Sequence, residues 1–129
     1  MNKFVIDAYA WIEYFNGTKL GIKVKEILES PNNSIYTNAI TISELVSSYK
    51  RNSLSFEEEK KILLSLSTIY EINLEFAEEA GKLHAGLKKE RKHISMADIF
   101  ALLSARKLNA KVVTGDENFR GLKDVYMLK

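Results

Sequence analysis

The chain contains no cysteine, which removes disulfides, thiolate zinc sites and thiol nucleophiles from consideration. It has only two histidines, His84 and His93. Their spacing is not that of a metal-ligand pair, and they read as a helix-surface residue and a partner for a helix C-terminus. No apolar run approaches a membrane span. The Met1-Asn2-Lys3 start leads straight into a strand pattern rather than a secretory leader. There is no Gly-rich loop ending in Lys-Ser or Lys-Thr to cradle a nucleotide phosphate. The formal net charge of +2 is too small to signal nucleic-acid binding by itself. Repeats, low-complexity tracts and linkers are also missing. What remains is a 129-residue chain, 46% hydrophobic and 28% charged, the size and composition of one globular domain with a real core. This profile is that of a cytoplasmic protein.

The hydrophobic pattern alternates short β-branched runs with amphipathic stretches. Lys3 to Ile6 is an apolar strand ending at Asp7, and Ala8 to Phe15 follows as a helix with Trp11 and Phe15 on one face. Asn16-Gly17-Thr18 stops it and opens a second helix over Lys19 to Glu29. After the Ser30-Pro31-Asn32-Asn33 turn, Ser34 to Tyr36 is a second strand. A helix starting at Thr41 carries Glu44, Leu45, Val46 and Tyr49, and Phe56 to Leu66 gives another. Ile69 to Ile72 reads as a third strand, and Leu74 to Arg91 as a long helix. The segment 95–119 contains a helix with Ile99, Leu102 and Leu103 on its stripe and small Ala101 and Ala105 for close packing. Asn109 stops that helix, Lys111 to Val113 forms a strand, and Thr114-Gly115-Asp116 breaks it. Val125 to Met127 is a last strand. Strands followed by helices define an α/β fold, with a central, mostly parallel sheet and helices on both faces.

Asp7, Glu44, Asp98 and Asp116 all fall at strand ends or helix starts in this scheme, along one edge of the sheet. Each has a structural role open to it. Ser95 and Asp98 resemble the two ends of a capping box, Thr41 and Glu44 those of another, and Asp7 and Asp116 suit a cap or a turn. These roles explain the acids one by one. They do not explain gathering like charges at one edge, where they repel. A divalent cation removes that cost. With neither Cys nor a His pair available, oxygen donors favour Mg²⁺ or Mn²⁺, and such a site positions phosphate esters and activates water. Thr114 and Asn118 flank Asp116. They can hold metal waters or a phosphate oxygen, and serve equally well as turn-stabilising side chains.

Three stretches, FVIDAYAWIEYFNGT, TISELV and SMADIFALLSARKLNAKVVTGDENF, together resemble the PIN-domain nucleases, particularly the VapC-like toxins of toxin–antitoxin pairs. They are spread over nearly the whole chain, so a single PIN-like domain over residues 1–129 is expected. The resemblance implies a Mg²⁺- or Mn²⁺-dependent endoribonuclease, usually a homodimer, with an antitoxin as partner. It matches Asp7, Glu44, Asp98 and Asp116 to the family's metal-binding acids and Thr114 to a hydroxyl residue beside the last acid. On this reading Asp7 and Asp98 are the innermost ligands, with Glu44 and Asp116 completing the site directly or through water. The RNA backbone is expected to meet Lys50, Arg51, Lys88, Lys89, Arg91 and Lys92. Trp11, Tyr14 and Phe15 give the first helix aromatic surface suited to a dimer or antitoxin contact. The rival function is a non-catalytic RNA- or partner-binding module on the same scaffold. A receiver-type phosphoacceptor needs an acidic pair after the first strand, and an aspartyl phosphatase needs Asp-x-Asp. Ile6-Asp7-Ala8-Tyr9 offers neither.

Overall fold

Five short strands pair side by side in the order β3-β2-β1-β4-β5, every neighbour parallel. The computed structural model describes residues 2–129. The strands are β1 (Asn2–Ile6), β2 (Asn33–Asn38), β3 (Thr68–Tyr70), β4 (Lys111–Thr114) and β5 (Val125–Met127), and the helices are α1 (Ala8–Asn16), α2 (Lys19–Glu29), α3 (Ala39–Arg51), α4 (Glu57–Leu66), α5 (Leu74–Lys88) and α6 (Met96–Leu108). A 3₁₀ turn, Glu117–Phe119, follows β4. The α/β class is as the sequence pattern implies, and the sheet is parallel throughout rather than mostly so.

The central strands β1 and β4 are covered on both faces, so their apolar residues alternate between two cores. Ile6 and Val113 point into the larger core, with Trp11, Val24, Leu45 and Leu63 from α1 to α4. Val5 and Val112 face the other way, onto Ala101, Leu102 and Ala105 of α6. A third cluster, Phe76, Ala80, Ile94, Ile99 and Leu103, seals α5 against α6. The α1–α2 corner is close enough that a Cβ on Gly21 would lie 2.0 Å from the Glu13 carbonyl oxygen, so only glycine fits there.

Several boundaries differ from the sequence expectation. Helix α3 starts at Ala39, capped by Asn38, whose Oδ1 accepts from the Ile40 amide at 2.8 Å. The expected Thr41–Glu44 capping box therefore does not form, and Glu44 lies in the second turn. Asn38 is fully buried, and its amide donates to Ser104 Oγ at 2.7 Å; this long-range bond to α6 fixes the cap. The third strand covers Thr68–Tyr70, and α5 ends at Lys88, leaving Arg91 in the loop before α6. His84 is half-buried, with Nε2 3.2 Å from the Ile94 carbonyl oxygen, so it braces that loop rather than sitting on an open helix surface. His93 lies in the loop, exposed, beyond the C-terminus it was expected to serve. Among the described residues no helix is long and apolar enough to cross a membrane.

Candidate active site

The strand order reverses direction at the β1–β4 pair: the chain builds outward from β1 through β2 to β3, then returns to add β4 and β5. In an open parallel sheet the crevice outside the carboxyl ends of the strands at such a point is where ligands bind. Asp7 follows β1 there, and its amide donates to the Val113 carbonyl of β4 at 3.3 Å. Extending the β1–β2 register, in which Val5 pairs with Tyr36, sets Asp7 beside Asn38 and the start of α3.

Each acid is held by local structure. Asp7 caps α1, with Oδ1 accepting from the Ala10 amide at 2.9 Å. The buried Thr114 hydroxyl accepts the Asp116 amide at 3.0 Å and also hydrogen-bonds the Asp7 carboxylate. Asp116 in turn caps the 3₁₀ turn, its Oδ1 accepting from the Asn118 amide at 2.9 Å. Asp98 and Ser95 form a reciprocal capping box: Ser95 Oγ accepts from the Asp98 amide at 3.0 Å, and Asp98 Oδ2 from the Ser95 amide at 2.9 Å. Gly115 has no room for a side chain, because a Cβ there would lie 2.3 Å from the Tyr9 ring. The Tyr9 ring thus packs on the backbone between Thr114 and Asp116, with the Lys129 ammonium 5.5 Å from its centroid.

The carboxylates also feel one another. Burial pushes Asp7 up to about 7; hydrogen bonds from Thr114 and Ala10 oppose this, and the charges of Asp98 and Glu44 reinforce it. Glu44 is pushed up to about 7 by burial and then by Asp98 and Asp116. Asp98 is raised chiefly by burial and partly by Asp116, against the Ser95 amide bond. None of the four takes part in an ion pair among the described residues. The four acids therefore share one field with no cation to offset it, although no three of them converge into a ready-made metal cage among the described residues.

The other expected residues divide by distance. Asn118 belongs to the site loop: its amide side chain donates to the His93 carbonyl at 3.2 Å, and its own carbonyl accepts from Arg91 at 3.1 Å. Arg91 thereby ties the loop before α6 to the loop after β4, a link the sequence pattern did not reveal. Lys88, Lys89 and Lys92 are exposed on the same approach to α6. Lys50 and Arg51 lie at the end of α3, nearly two turns beyond Glu44, or roughly 10 Å along the axis. Trp11 is fully buried and does not contribute surface. Tyr14 and Phe15 line a groove of about 400 Å³ with Gly21, Ile22, Lys25 and Ile62. The hydroxyl of Thr41, in the first turn of α3, is fully buried without a hydrogen-bond partner.

An open parallel α/β sheet with a quartet of carboxylates at its switch point defines the class: a scaffold with an acidic, oxygen-donor crevice. The family model for the PIN domain matches residues 4–125, and the chain belongs to that family. Comparison with curated proteins finds no significant match. Among solved structures, the chain is similar to VapC20 of Mycobacterium tuberculosis, described as a Sarcin-Ricin loop cleaving toxin, with a TM-score of 0.77 and 16% identity over 95% of this chain and 96% of that one. It is similar to a chain of a toxin–antitoxin complex from Klebsiella pneumoniae, with a TM-score of 0.70 and 24% identity over 97% of each. A chain of VapBC2 from Rickettsia felis, solved bound to a DNA fragment from its promoter, gives 0.71 and 19% identity over 97% of this chain and 96% of that one. At these identities the likeness is one of fold.

Proposed function

We propose that this chain is a Mg²⁺- or Mn²⁺-dependent endoribonuclease and the toxin of a toxin–antitoxin pair. The observation that carries this reading is the mutual electrostatic coupling of Asp7, Glu44, Asp98 and Asp116 in a half-buried crevice without a counter-cation. Membership of the PIN family and the fold of the toxin structures support it. The donor set suits a hard cation.

Asp7 and Asp98 would hold such an ion most directly, with Glu44 and Asp116 completing the acidic site directly or through water. An ion held there would supply an acidified water and charge neutralisation at the scissile phosphate. Thr114 orients Asp7 and fixes the Asp116 loop, and Asn118 holds that loop against His93. The RNA backbone enters along Lys88, Lys89, Arg91 and Lys92, with Lys50 and Arg51 as a more remote contact. No side chain acts as a covalent nucleophile. The protein works in the cytoplasm as one domain, as a homodimer, and a cognate antitoxin seats a segment in the groove lined by Tyr14, Phe15, Ile22 and Ile62.

Purified protein given Mg²⁺ or Mn²⁺ and a panel of RNAs, the structured sarcin–ricin hairpin among them, is expected to produce internal cuts that EDTA abolishes. Cleavage that persists in EDTA and disappears on changing His84 or His93 overturns the proposal in favour of histidine acid–base chemistry.

A further inference from the structure

Lys129 is an exposed cation at the acidic edge of the sheet, and the strand pairing puts it there. Strand β5 runs parallel to β4 with Met127 opposite Thr114. Residues beyond Met127 therefore leave on the same edge as Asp116, which follows β4. The Leu128 amide continues the ladder by donating to the Thr114 carbonyl at 2.8 Å. This segment is pinned. Leu128 is fully buried, its carbonyl accepts from Lys23 Nζ at 3.0 Å, and the Lys129 carbonyl accepts from Arg120 Nη2 at 2.7 Å. The Lys129 side chain lies toward Tyr9, with Nζ 5.5 Å from the ring centroid. Tyr9 is two residues beyond Asp7, and a Cβ on Gly115 would sit 2.3 Å from its ring. The ammonium thus stands by a ring that joins the turn carrying Asp7 to the turn carrying Asp116.

We propose that Lys129 binds a phosphate of the RNA beside the acidic crevice, with the Tyr9 ring as the platform that directs its ammonium there. This rests on the reading of the crevice as an RNA site. Four carboxylates repel a phosphodiester, so an anionic strand needs a positive charge on the rim. Among the described residues the Lys129 ammonium forms no ion pair. The nearby Glu117 carboxylate is engaged by Arg120 at 2.7 Å instead. An aromatic face attracts a cation without using its N–H donors, and an ammonium carries three of them. Lys129 is therefore held in place while its donors stay open to phosphate oxygens, the contact that positions a nucleic-acid backbone.

A fluorescent single-stranded oligoribonucleotide is titrated with the full chain in EDTA, across about 50 to 200 mM salt, and binding is read by anisotropy. Lys129→Gln removes the charge, and Lys129→Arg keeps it. Lys111→Gln removes the same charge at the opposite end of β4, where Lys111 is exposed. Expected in Lys129→Gln is a salt slope smaller by about 0.7 and an affinity about threefold or more weaker. Lys129→Arg and Lys111→Gln should bind as the wild type does. Tyr9→Leu should weaken binding in the wild-type chain and add no further loss to Lys129→Gln. Wild-type affinity and slope in Lys129→Gln overturn the proposal. An equal loss in Lys111→Gln also overturns it, because net charge then explains the effect. An equal further loss on adding Tyr9→Leu to Lys129→Gln overturns the platform. A chain that cuts RNA with Mn²⁺ yet binds none in EDTA overturns this proposal and leaves the reading of the crevice standing. A chain that neither binds nor cuts RNA overturns both.

Discussion

Ser95 and Asp98 exchange two hydrogen bonds, Asp98 N to Ser95 Oγ at 3.0 Å and Ser95 N to Asp98 Oδ2 at 2.9 Å, while the same Asp98 carboxylate raises the proton affinity of Asp7 and Glu44. The capping and acid-cluster roles of this residue are therefore compatible. One oxygen closes the helix start, and the charge reaches across the crevice. The cap holds the carboxylate in place, which is what a ligand on a rigid element needs. Asp7 and Asp116 are arranged in the same manner, each capping a turn with Oδ1.

The stability of the metal-free protein should fall as pH rises. Asp7 and Glu44 stand at about 7 in the folded chain, above their ordinary 3.8 and 4.5. Between about pH 4 and 7 the native state holds protons that the unfolded chain has released, so stability declines through this window and levels off above it. For Asp7 the effect is roughly 4 kcal/mol at most. Melting curves in EDTA from pH 5.5 to 8.5 should show a shallower decline in Asp7→Asn than in the wild type. Mn²⁺ affinity should move the other way, strengthening toward pH 7, because the ion competes with those protons. A wild-type melting temperature that falls no more steeply over this range than that of Asp7→Asn would contradict the burial and crowding of Asp7.

Thr114 joins two of the acids through one buried hydroxyl. Thr114→Val leaves the Asp116 amide without its acceptor and Asp7 with the Ala10 amide as its remaining donor, a loss of about 1–3 kcal/mol. Asp7 should then hold its proton to still higher pH, and Mn²⁺ binding should need more alkaline solution. Thr114→Ser should restore both properties. Calorimetric melts and a pH series of Mn²⁺ titrations check this. If valine is as good as serine in both, Thr114 has no part in the site.

The Tyr14–Phe15 groove predicts a separation of functions. Ile22 is 56% exposed and Ile62 is 42% exposed on its rim, so a charge at Ile62 should disturb packing little. Ile62→Glu is expected to weaken binding to an antitoxin at least tenfold, or about 1.4 kcal/mol, while leaving RNA cleavage and melting temperature near wild type. Co-purification with the product of an adjacent antitoxin gene, followed by titration, measures it. Unchanged antitoxin affinity would place the partner elsewhere.

What could be read from the sequence was the part written in local periodicity. Val5-Ile6 and Val112-Val113 are runs too short for helices, and they do send alternate residues into opposite cores. Ser95 and Asp98, three apart before an apolar stripe, specify a cap that needs nothing beyond themselves. Helix α3 was placed late because Thr41-x-x-Glu44 is the stronger local capping signal. The actual cap, Asn38, depends on a bond to Ser104, 66 residues away, although an Asn before Ala-Ile-Thr was a cue to it. The burial of Trp11, the bond of Arg91 to Asn118 and the contact of His84 with Ile94 are likewise tertiary, and no spacing rule carries them. The edge to which the four acids were assigned followed from strand ends and helix starts. The fit between the Tyr9 ring and Gly115 did not.

The most direct measurement is the Mn²⁺-induced rise in melting temperature at pH 8, compared between the wild type and Asp98→Asn. In EDTA, losing the charge at the first turn of α6 costs about 0.3–1 kcal/mol through the helix dipole, but it also relieves burial and repulsion, which together hold the carboxyl above its ordinary range. Asp98→Asn should therefore melt no lower than the wild type without metal. The wild type should then climb steadily with Mn²⁺ concentration, since an ion bound only by the native state stabilises it by mass action, and Asp98→Asn should climb far less and lose RNA cleavage. An Asp98→Asn protein that melts lower in EDTA, keeps the full Mn²⁺ shift and still cuts RNA would contradict the account and leave Asp98 as a helix cap alone.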